Sequence, residues 1–303
     1  MSSSPTRPQR LLVTGGRGRL ASLIADHFRA PSHTVALYSR ESGAGFSPLA
    51  DLMTPAGLEG ADVLLHLAWS SLPATAEQGS ASAPSPDLAL LDQLLGAVVA
   101  LPAERRPYFV FFSSGGTVYG NAAGRPSVEG DACQPIGRYG RVKLAAEEKV
   151  RAAFARHGLA GVILRISNPY GYPVPSGRAQ GVIPHAIRCA VEGRPLTLWG
   201  DGHARKDFLY YTDFLSGLQE VVARRLTGIY NLAAGESHSV HEIIGLVEQH
   251  TGRKLATQHT PAPTWDVQDS RLDRQLLTKA TGWTPQVPLS EGVRRAAAGY
   301  LDR

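Results

Sequence analysis

The sequence predicts an α/β protein: a Rossmann-like doubly wound parallel sheet followed by a smaller mixed α/β C-terminal region. Three observations carry this prediction. Short apolar runs alternate with longer segments of helical periodicity through the first half of the chain. Those runs are apolar enough to be buried on both faces, as the strands of a parallel sheet are. A glycine-rich turn also joins the first apolar run to the first helical segment, which is how a doubly wound fold begins.

The elements of the first half follow in order. The predicted strands are RLLVTGG (10–16), TVALYS (34–39), DVLLHLA (62–68), YFVFFSS (108–114) and GVILRIS (161–167). Each predicted helix has apolar residues three and four positions apart. The helices are GRLASLIADHF (18–28), DLALLDQLLGAVVA (87–100) and RYGRVKLAAEEKVRAAFARHG (138–158).

The alternation of apolar strands and long helices ends after residue 167. The stretch 168–181 is rich in turn residues, and the remainder mixes short helices with loops broken by Pro and Gly. We expect a dinucleotide-binding domain over 10–167, completed by a segment near 207–234. A substrate-binding region is expected over 168–206 and 235–303, at the carboxyl edge of the sheet. Residues 1–9 are expected to be a disordered leader.

Composition argues against several classes of protein. The 303 residues are 43% hydrophobic and 19% charged, as in an ordinary soluble enzyme, and the net charge of +5 comes from scattered arginines. No basic patch with interleaved aromatic residues is present, so no nucleic-acid partner is expected. Cys133 and Cys189 lack metal-ligand spacing, so neither a metal site nor a disulfide framework is expected. Without a long apolar run or a secretory leader, we expect no membrane association and a cytoplasmic location.

The glycine turn after the first predicted strand indicates a phosphate-binding site. Gly15 and Gly18 permit a tight turn and the close approach of a pyrophosphate to backbone N–H groups at a helix N-terminus. Ala21 stands at the third position of the spacing, where a small residue serves helix–strand packing. Arg19 and Leu20, which open the helix, are assigned to the same cofactor site.

Tyr139 and Lys143 lie four residues apart and therefore on one face of a predicted helix. A tyrosine with a pKa of about 10 is a poor acid or base near neutral pH. A nearby ammonium group favours the phenolate, so that the tyrosine can exchange a proton with a sugar-like hydroxyl or carbonyl. The structural alternative is an exposed tyrosine packed on a lysine stem.

Hydroxyl residues end the predicted strand that precedes this helix. In FFSSGGTVYG (111–120), Ser113, Ser114 and Thr117 can donate hydrogen bonds at the carboxyl end of the strand. We assign Ser113 to the cofactor, Ser114 to catalysis, and Thr117 to catalysis and substrate binding. Routine capping of the strand end is the alternative.

Together these stretches resemble the extended short-chain dehydrogenase/reductases, specifically the UDP-glucose 4-epimerase-like, NAD(P)-dependent nucleotide-sugar epimerases, dehydratases and 4-ketoreductases. The likeness begins near residue 10 and covers nearly the whole chain. It rests on the ordered motifs VTGGRGRLA, DVLLHLAWSS, SSGGTVYG, YGRVK, LRISNPYG, LWGDGHARKDFLYYTD, YNLAAGESHSV and LDRQLLTKATGWTP.

The resemblance implies further cofactor contacts. Asp51 and Leu52 are similar to the pair beside the adenine in this family. Leu67, Ala68 and Trp69 are similar to the strand end beneath the nicotinamide ribose.

The resemblance also implies the reacting and substrate-binding residues. Tyr139 and Lys143 match the catalytic pair, which also contacts the cofactor. Asn168 matches the asparagine that touches the diphosphate of a nucleotide sugar, and Lys206, preceded by Arg205, aligns with the basic residue that pairs with that diphosphate.

Two positions depart from the family pattern. Gly115 stands where the catalytic Ser or Thr is usual, so Thr117 or Ser114 would have to polarise the substrate oxygen. Pro263 stands where an arginine is often found, which leaves the diphosphate to the two basic residues and the identity of the nucleotide open.

The end of the second predicted strand bears on cofactor choice. An acidic residue there would bind the ribose hydroxyls of NAD and repel a 2′-phosphate. This chain has Tyr38, Ser39 and Arg40, with no carboxylate before Glu41, and Arg17 in the glycine turn is a second guanidinium for a phosphate. NADP(H) is therefore favoured, with NAD(H) as the alternative.

An NADP(H) preference favours a net reduction. We expect an NADPH-dependent 4-ketoreductase of a nucleotide-linked sugar, in which Tyr139 supplies the proton. The alternatives are a nucleotide-sugar (UDP-hexose) 4-epimerase and a protein that binds the dinucleotide without turnover. By analogy with the family we expect a homodimer formed through the helices at 87–101 and 138–157.

Overall fold

The computed structural model describes residues 8–29, 32–77, 85–172 and 181–301. Most of the expected leader, residues 1–7, lies outside the described residues, whereas Gln9 is already the first residue of a strand.

The described residues form twelve strands, eleven α-helices and two short 3₁₀ helices. The strands are β1 (Gln9–Thr14), β2 (His33–Ser39), β3 (Ser47–Pro48), β4 (Val63–His66), β5 (Tyr108–Ser114), β6 (Gly161–Ile166), β7 (Asn168–Tyr170), β8 (Leu196–Trp199), β9 (Arg205–Tyr210), β10 (Gly228–Leu232), β11 (Ser237–Ser239) and β12 (Thr257–Thr260). The α-helices are α1 (Arg19–Phe28), α2 (Pro55–Leu58), α3 (Pro73–Ala76), α4 (Pro86–Val99), α5 (Gly115–Val118), α6 (Arg138–His157), α7 (Val182–Glu192), α8 (Tyr211–Arg224), α9 (Val240–Thr251), α10 (Gln275–Thr281) and α11 (Leu289–Leu301). The 3₁₀ helices are Leu49–Met53 and Ala103–Arg105.

The main sheet has seven strands in the order β10-β6-β5-β4-β1-β2-β3, which confirms the predicted doubly wound parallel architecture. Parallel pairing aligns Thr14 of β1 with Tyr38 of β2 and with His66 of β4, and His66 with Phe111 of β5. The carboxyl ends of β1, β2 and β4 are therefore level to within one residue, whereas β5 continues three residues beyond Phe111 to Ser114. The loops that follow these parallel strands meet at one edge of the sheet.

Burial explains why the apolar runs form central strands. Every residue of β4 and all but the last of β5 are buried, as expected for strands covered on both faces. Their side chains form a core with one face of α4 and of α6. Representative members are Leu64, Phe109, Phe111, Leu91, Leu94, Val98, Ala146 and Val150.

The chain divides into two compact units. The first consists of Met1–Ser113, Val142–Leu164 and Val221–Ile229. The second consists of Ser114–Arg141, Arg165–Glu220 and Tyr230–Arg303. The functional domain boundaries expected from the sequence stay a prediction.

The second unit is a mixed α/β structure of its own, as the sequence predicts. It contains a three-stranded sheet, β11-β9-β7, and a two-stranded sheet, β12-β8. Strand β9 pairs in parallel with β7 and antiparallel with β11. Helices α7, α9 and α11 share a core with β9, which includes Ile187, Phe208, Ile243, Val247 and Val293.

Across the part of the chain that the structure describes, no helix combines the length and the apolar character that crossing a membrane requires.

Candidate functional site

A cavity of about 500 Å³ opens at the carboxyl ends of β1, β2 and β4 in the first unit. The turn after β1, the residues after β2 and the residues after β4 line it. The lining residues are Gly15, Arg17, Gly18, Ser39, Arg40, Glu41, Leu49, Leu67, Ala68 and Trp69. Eight of the ten are residues that the sequence assigns to the cofactor, and Glu41 and Leu49 are additions.

The glycine turn has the shape of a phosphate cradle. Gly15 has a φ of +76°, a conformation that residues with a side chain rarely adopt. A Cβ at this position would also lie only 3.0 Å from the backbone nitrogen of Ala68, so both the backbone conformation and the lack of space favour glycine. Gly18 is the N-cap of α1 and provides no side chain to cap it. The first-turn N–H groups, which belong to Arg19 and Leu20 among others, lack intrahelical acceptors and can bind an anion.

The loop after β4 is held against this turn by a buried hydrogen-bonded chain. The backbone N–H of Ala68 donates to Oγ1 of Thr14 over 3.0 Å, and this hydroxyl lies 2.9 Å from Nδ1 of His66. Burial, reinforced by the charge of Lys143, lowers the pKa of His66 to about 3. The imidazole is therefore neutral and serves to fix the wall of the cavity.

Lys143 is a buried cation next to the cavity wall. Its Nζ donates to the backbone oxygen of Phe112 over 2.9 Å and lies 3.6 Å from the centroid of the Trp69 ring. Burial lowers its pKa to about 7, although the carboxylates of Asp87 and Glu147 act in the opposite direction. Lys143 can therefore change its protonation state near neutral pH.

The other residues expected at the cofactor lie outside the cavity lining. Leu52 is fully buried in the core, and Asp51 is exposed on the same 3₁₀ helix. The Ser113 hydroxyl donates to Oε1 of Glu147 over 2.5 Å, so its hydrogen is held within the protein.

Glu41 is a functional candidate that the sequence pattern alone does not assign to the cofactor. Its carboxylate accepts a hydrogen bond from Nη1 of Arg17, and both side chains line the cavity. The available signal was that Glu41 is the first carboxylate after β2. Its partner in the glycine turn is 24 residues earlier, so the pairing itself needed the structure.

In the second unit, the structure explains the glycine at the usual hydroxyl position. Gly115 is buried, and a Cβ on it would lie 2.5 Å from Cδ1 of Leu272 and 3.2 Å from the backbone oxygen of Arg165. Leu272 thus fills the space of the missing side chain. The neighbouring Thr117 hydroxyl donates to the backbone oxygen of Ser114 over 3.4 Å.

A polar notch lies beside Gly116, the next residue of α5. A Cβ there would be 3.7 Å from Oγ of Ser270 and 3.8 Å from Nδ2 of Asn168. Asn168 donates from Nδ2 to the backbone oxygen of Asp207 over 2.8 Å. Within the described residues, the buried Ser270 hydroxyl has no hydrogen-bond partner. Sequence reasoning missed Ser270 because it is more than 150 residues from Gly116.

Tyr139 and Lys143 share α6 and are about one helical turn apart. Gly140, next to Tyr139, allows the start of this helix to approach α5 closely. A Cβ on Gly140 would lie 2.7 Å from the backbone oxygen of Thr117. The backbone of Gly140, the neighbour of Tyr139, therefore packs directly against the backbone of Thr117.

The two basic residues expected at the diphosphate both have acidic partners. Nζ of Lys206 is 3.1 Å from Oδ1 of Asp266 and also donates to the backbone oxygen of Val267. Arg205 is 3.3 Å from Oε2 of Glu242. A diphosphate would compete with these carboxylates for the two cations.

In the part of the chain that the structure describes, no group of three or more His, Cys, Asp or Glu side chains is arranged so that it could hold a metal ion.

Comparison with known proteins gives a consistent picture. Residues 11–233 match the model of the family described as NAD dependent epimerase/dehydratase family. The chain is 31% identical over 256 residues to the protein named Uncharacterized UDP-glucose epimerase YtcB of Bacillus subtilis, covering 80% of this chain and 75% of that one. It is 27% identical over 316 residues to the dTDP-6-deoxy-L-talose 4-dehydrogenase (NAD(P)(+)) of Kitasatospora kifunensis, covering 97% and 96% of the two chains.

Solved structures show the same similarity. The UDP-glucose 4-epimerase of Thermus thermophilus, solved in complex with NAD, superposes with a TM-score of 0.85 at 26% identity. The match covers 97% of this chain and 99% of that one.

Proposed function

We propose a reaction for this chain from one premise: it belongs to the NAD dependent epimerase/dehydratase family. The protein is an oxidoreductase that acts at C4 of a nucleotide-linked sugar, and the reaction we favour is NADPH-dependent 4-keto reduction. The observation that carries the proposal is the buried Lys143, 3.6 Å from the ring of Trp69, a residue that lines the cavity at the strand ends. Tyr139 precedes Lys143 by one turn of the same helix.

The residues of the cavity fit a nicotinamide dinucleotide. The Gly15–Gly18 turn and the start of α1 would hold the pyrophosphate, because a Cβ at Gly15 would strike the backbone of Ala68 and Gly18 leaves α1 uncapped by a side chain. Leu67, Ala68 and Trp69 would contact the nicotinamide ribose, and Ser39 and Arg40 the adenosine ribose. When bound, the nicotinamide supplies a hydride donor or acceptor.

Residues of this chain bind the nucleotide sugar and supply the proton that the C4 oxygen takes up. In a net reduction, Tyr139 donates its phenolic proton to the C4 oxygen, which becomes a hydroxyl. A protonated Lys143 favours the resulting phenolate electrostatically. Thr117 or Ser114 donates to the same oxygen, since Leu272 occupies the space of a hydroxyl side chain at Gly115. Asn168, Arg205 and Lys206 bind the diphosphate.

The second candidate is a UDP-hexose 4-epimerase that retains NAD. Glu41 supports it, because a carboxylate in the cavity can accept hydrogen bonds from ribose hydroxyls. The Thermus thermophilus epimerase, whose structure contains NAD, points in the same direction. Arg17 and Arg40, which also line the cavity, support NADP(H) and hence the reductase.

The test begins with the nucleotide that the purified protein carries. Its mass identifies the cofactor that the protein carries, and dissociation constants of the stripped protein for NADPH, NADP, NADH and NAD measure how strongly the site prefers one of them. Consumption of NADPH with a 4-keto nucleotide sugar supports the reductase. Interconversion of UDP-hexoses without net cofactor consumption supports the epimerase.

Tyr139→Phe is the matched variant for either reaction. It removes the phenolic hydroxyl and retains the ring, so it should abolish turnover while the protein still binds the dinucleotide. Turnover equal to that of an active wild type would overturn the role of Tyr139 in both candidates. No turnover by either protein, with the dinucleotide still bound, would favour a protein that binds the dinucleotide without catalysis.

We also propose a homodimer formed through α4 and α6, the helices at the predicted positions. Multi-angle light scattering that reports a monomer at working concentration would overturn it.

A further inference from the structure

Three charged side chains line the cavity at the end of β2: Arg17, Arg40 and Glu41. Glu41 is the one carboxylate among the ten lining residues, and Arg17 donates a hydrogen bond to it. The side chains of the pair are 59% and 76% exposed, respectively. Arg40 is exposed and has no ion-pair partner within the described residues.

The backbone fixes the two halves of this pair as neighbours. Gly16 donates its N–H to the backbone oxygen of Tyr38 over 2.8 Å, which ties the glycine turn to the end of β2. A Cβ on Gly16 would lie 3.0 Å from Cβ of Leu37 and 3.0 Å from Cδ1 of Phe46, so the turn and the strand are in close contact. A change in the pairing of Arg17 and Glu41 therefore involves their side chains and not the turn.

We propose that Arg17 and Glu41 form a reversible ion pair that allows the cavity to bind both NAD(H) and NADP(H). This rests on the proposed function in one respect, that the cavity binds a nicotinamide dinucleotide. With NAD, Glu41 accepts hydrogen bonds from the ribose hydroxyls. With NADP, Arg17 leaves Glu41 and, together with Arg40, donates to the 2′-phosphate.

The chemistry of the pair explains why one carboxylate does not exclude NADP. An unpaired carboxylate next to the ribose would repel the phosphate dianion. Arg17 offsets that charge when it is paired. When it turns to the 2′-phosphate, Arg17 and Arg40 still place two positive charges in the cavity against the one carboxylate, and both supply donors to the phosphate. Because an exposed ion pair contributes little to stability, it opens at small cost. The wild type should therefore bind the two dinucleotides with dissociation constants within about tenfold of each other. Tenfold corresponds to a difference of about 1.4 kcal/mol in binding free energy.

The test measures dissociation constants of NAD and NADP by calorimetry on the stripped full-length protein. Glu41→Gln keeps the size of the side chain, removes its charge and releases Arg17. It should shift the NAD-to-NADP preference toward NADP by about tenfold. Arg17→Gln leaves the carboxylate unneutralised and should shift the preference by a similar factor toward NAD.

A second exposed pair of the first unit provides the matched control. Arg105 and Glu59 are 3.4 Å apart, with side chains 62% and 66% exposed, and neither lines the cavity. Glu59→Gln makes the same chemical change as Glu41→Gln and should leave the cofactor preference unchanged. It separates the effect of a specific contact from that of net charge.

The outcomes separate this inference from the proposed function. A preference that Glu41→Gln leaves within twofold of the wild type overturns the role of the pair, while the dinucleotide site stands. A wild type that binds one dinucleotide more than a hundredfold more tightly than the other overturns dual use. Failure to bind either dinucleotide overturns the proposed function together with the inference.

Discussion

Replacing Gly115 with serine tests whether Leu272 is the reason for the missing hydroxyl. Gly115 has no positive φ, so the backbone accepts a side chain, and the helix propensity of serine is better than that of glycine. The obstacle is steric: the new Cβ would lie 2.5 Å from Cδ1 of Leu272, a contact that real Cβ atoms do not make. Leu272 is 1% exposed and packed against Val118 and Ala233, so it has little room to move.

We expect Gly115→Ser to lower the free energy of unfolding by about 1–3 kcal/mol, the usual cost of overpacking a core. Leu272→Ala alone leaves a cavity and should lower it by about 2–5 kcal/mol. In the double variant the serine occupies part of that cavity. The combined loss should therefore be smaller than the sum of the single losses by at least about 1 kcal/mol.

Urea denaturation of the wild type, both single variants and the double variant measures this coupling. Gly116→Ala is the control, because its Cβ would meet its nearest neighbours at ordinary contact distances of 3.7 and 3.8 Å. It should change stability by less than about 1 kcal/mol. Additive losses in the cycle, or a Gly115→Ser variant as stable as the wild type, would refute the steric argument.

Three further predictions concern stability. Gly15→Ala should lower the free energy of unfolding by more than about 1 kcal/mol, since the position has φ +76° and faces the backbone of Ala68; urea denaturation indistinguishable from the wild type would contradict this. Lys143 has a folded pKa of about 7, below its ordinary 10.5, so the unfolded chain binds more protons between these values. The stability of the wild type should therefore rise relative to Lys143→Met as the pH increases from about 7 to 10, and parallel pH profiles would contradict it. Ser270→Ala removes a buried hydroxyl that has no hydrogen-bond partner among the residues the structure describes, so it should keep or raise the melting temperature in calorimetry; a clear decrease would mean that the hydroxyl is bonded in solution.

The sequence predicts those strands of the main sheet that consist mostly of apolar residues. β1, β2, β4, β5 and β6 all form where apolar runs predict strands. β4, β5 and β6 are buried at nearly every position, because strands covered on both faces need apolar residues there, whereas β2 is buried only at Tyr38 and Ser39. The strands that it misses in the main sheet are different. β3 has only two residues, so its pairing with β2 and not its composition makes it a strand. β10 lies within the segment near 207–234 that the sequence predicts will complete the domain, but no strand is predicted there.

The candidate site shows the same division. Residues at strand ends, such as Gly15, Ala68 and Trp69, could be grouped in advance because parallel strands bring their carboxyl ends together. The pairing of Glu41 and the space that Leu272 fills could not, because each depends on side chains brought together from distant parts of the chain. The local sequence pattern predicts which strand ends and turns surround the site. Packing between distant parts of the chain determines which charged and hydroxyl side chains can contact a ligand there.

The first unit is built from three separate segments of the chain, and this affects how the protein folds during synthesis. The first unit is complete only with Val221–Ile229, where the Tyr108 hydroxyl donates to the backbone oxygen of Leu226 over 2.5 Å and Arg225 lies over the Tyr108 ring. During synthesis, β5 leaves the ribosome more than a hundred residues before these partners exist. A nascent chain therefore carries an unfinished first unit until Ile229 has been synthesised, and during that time long-range contacts are slow to form and exposed strands can aggregate. N-terminal fragments that stop short of Ile229 should behave like that intermediate and depend on chaperones.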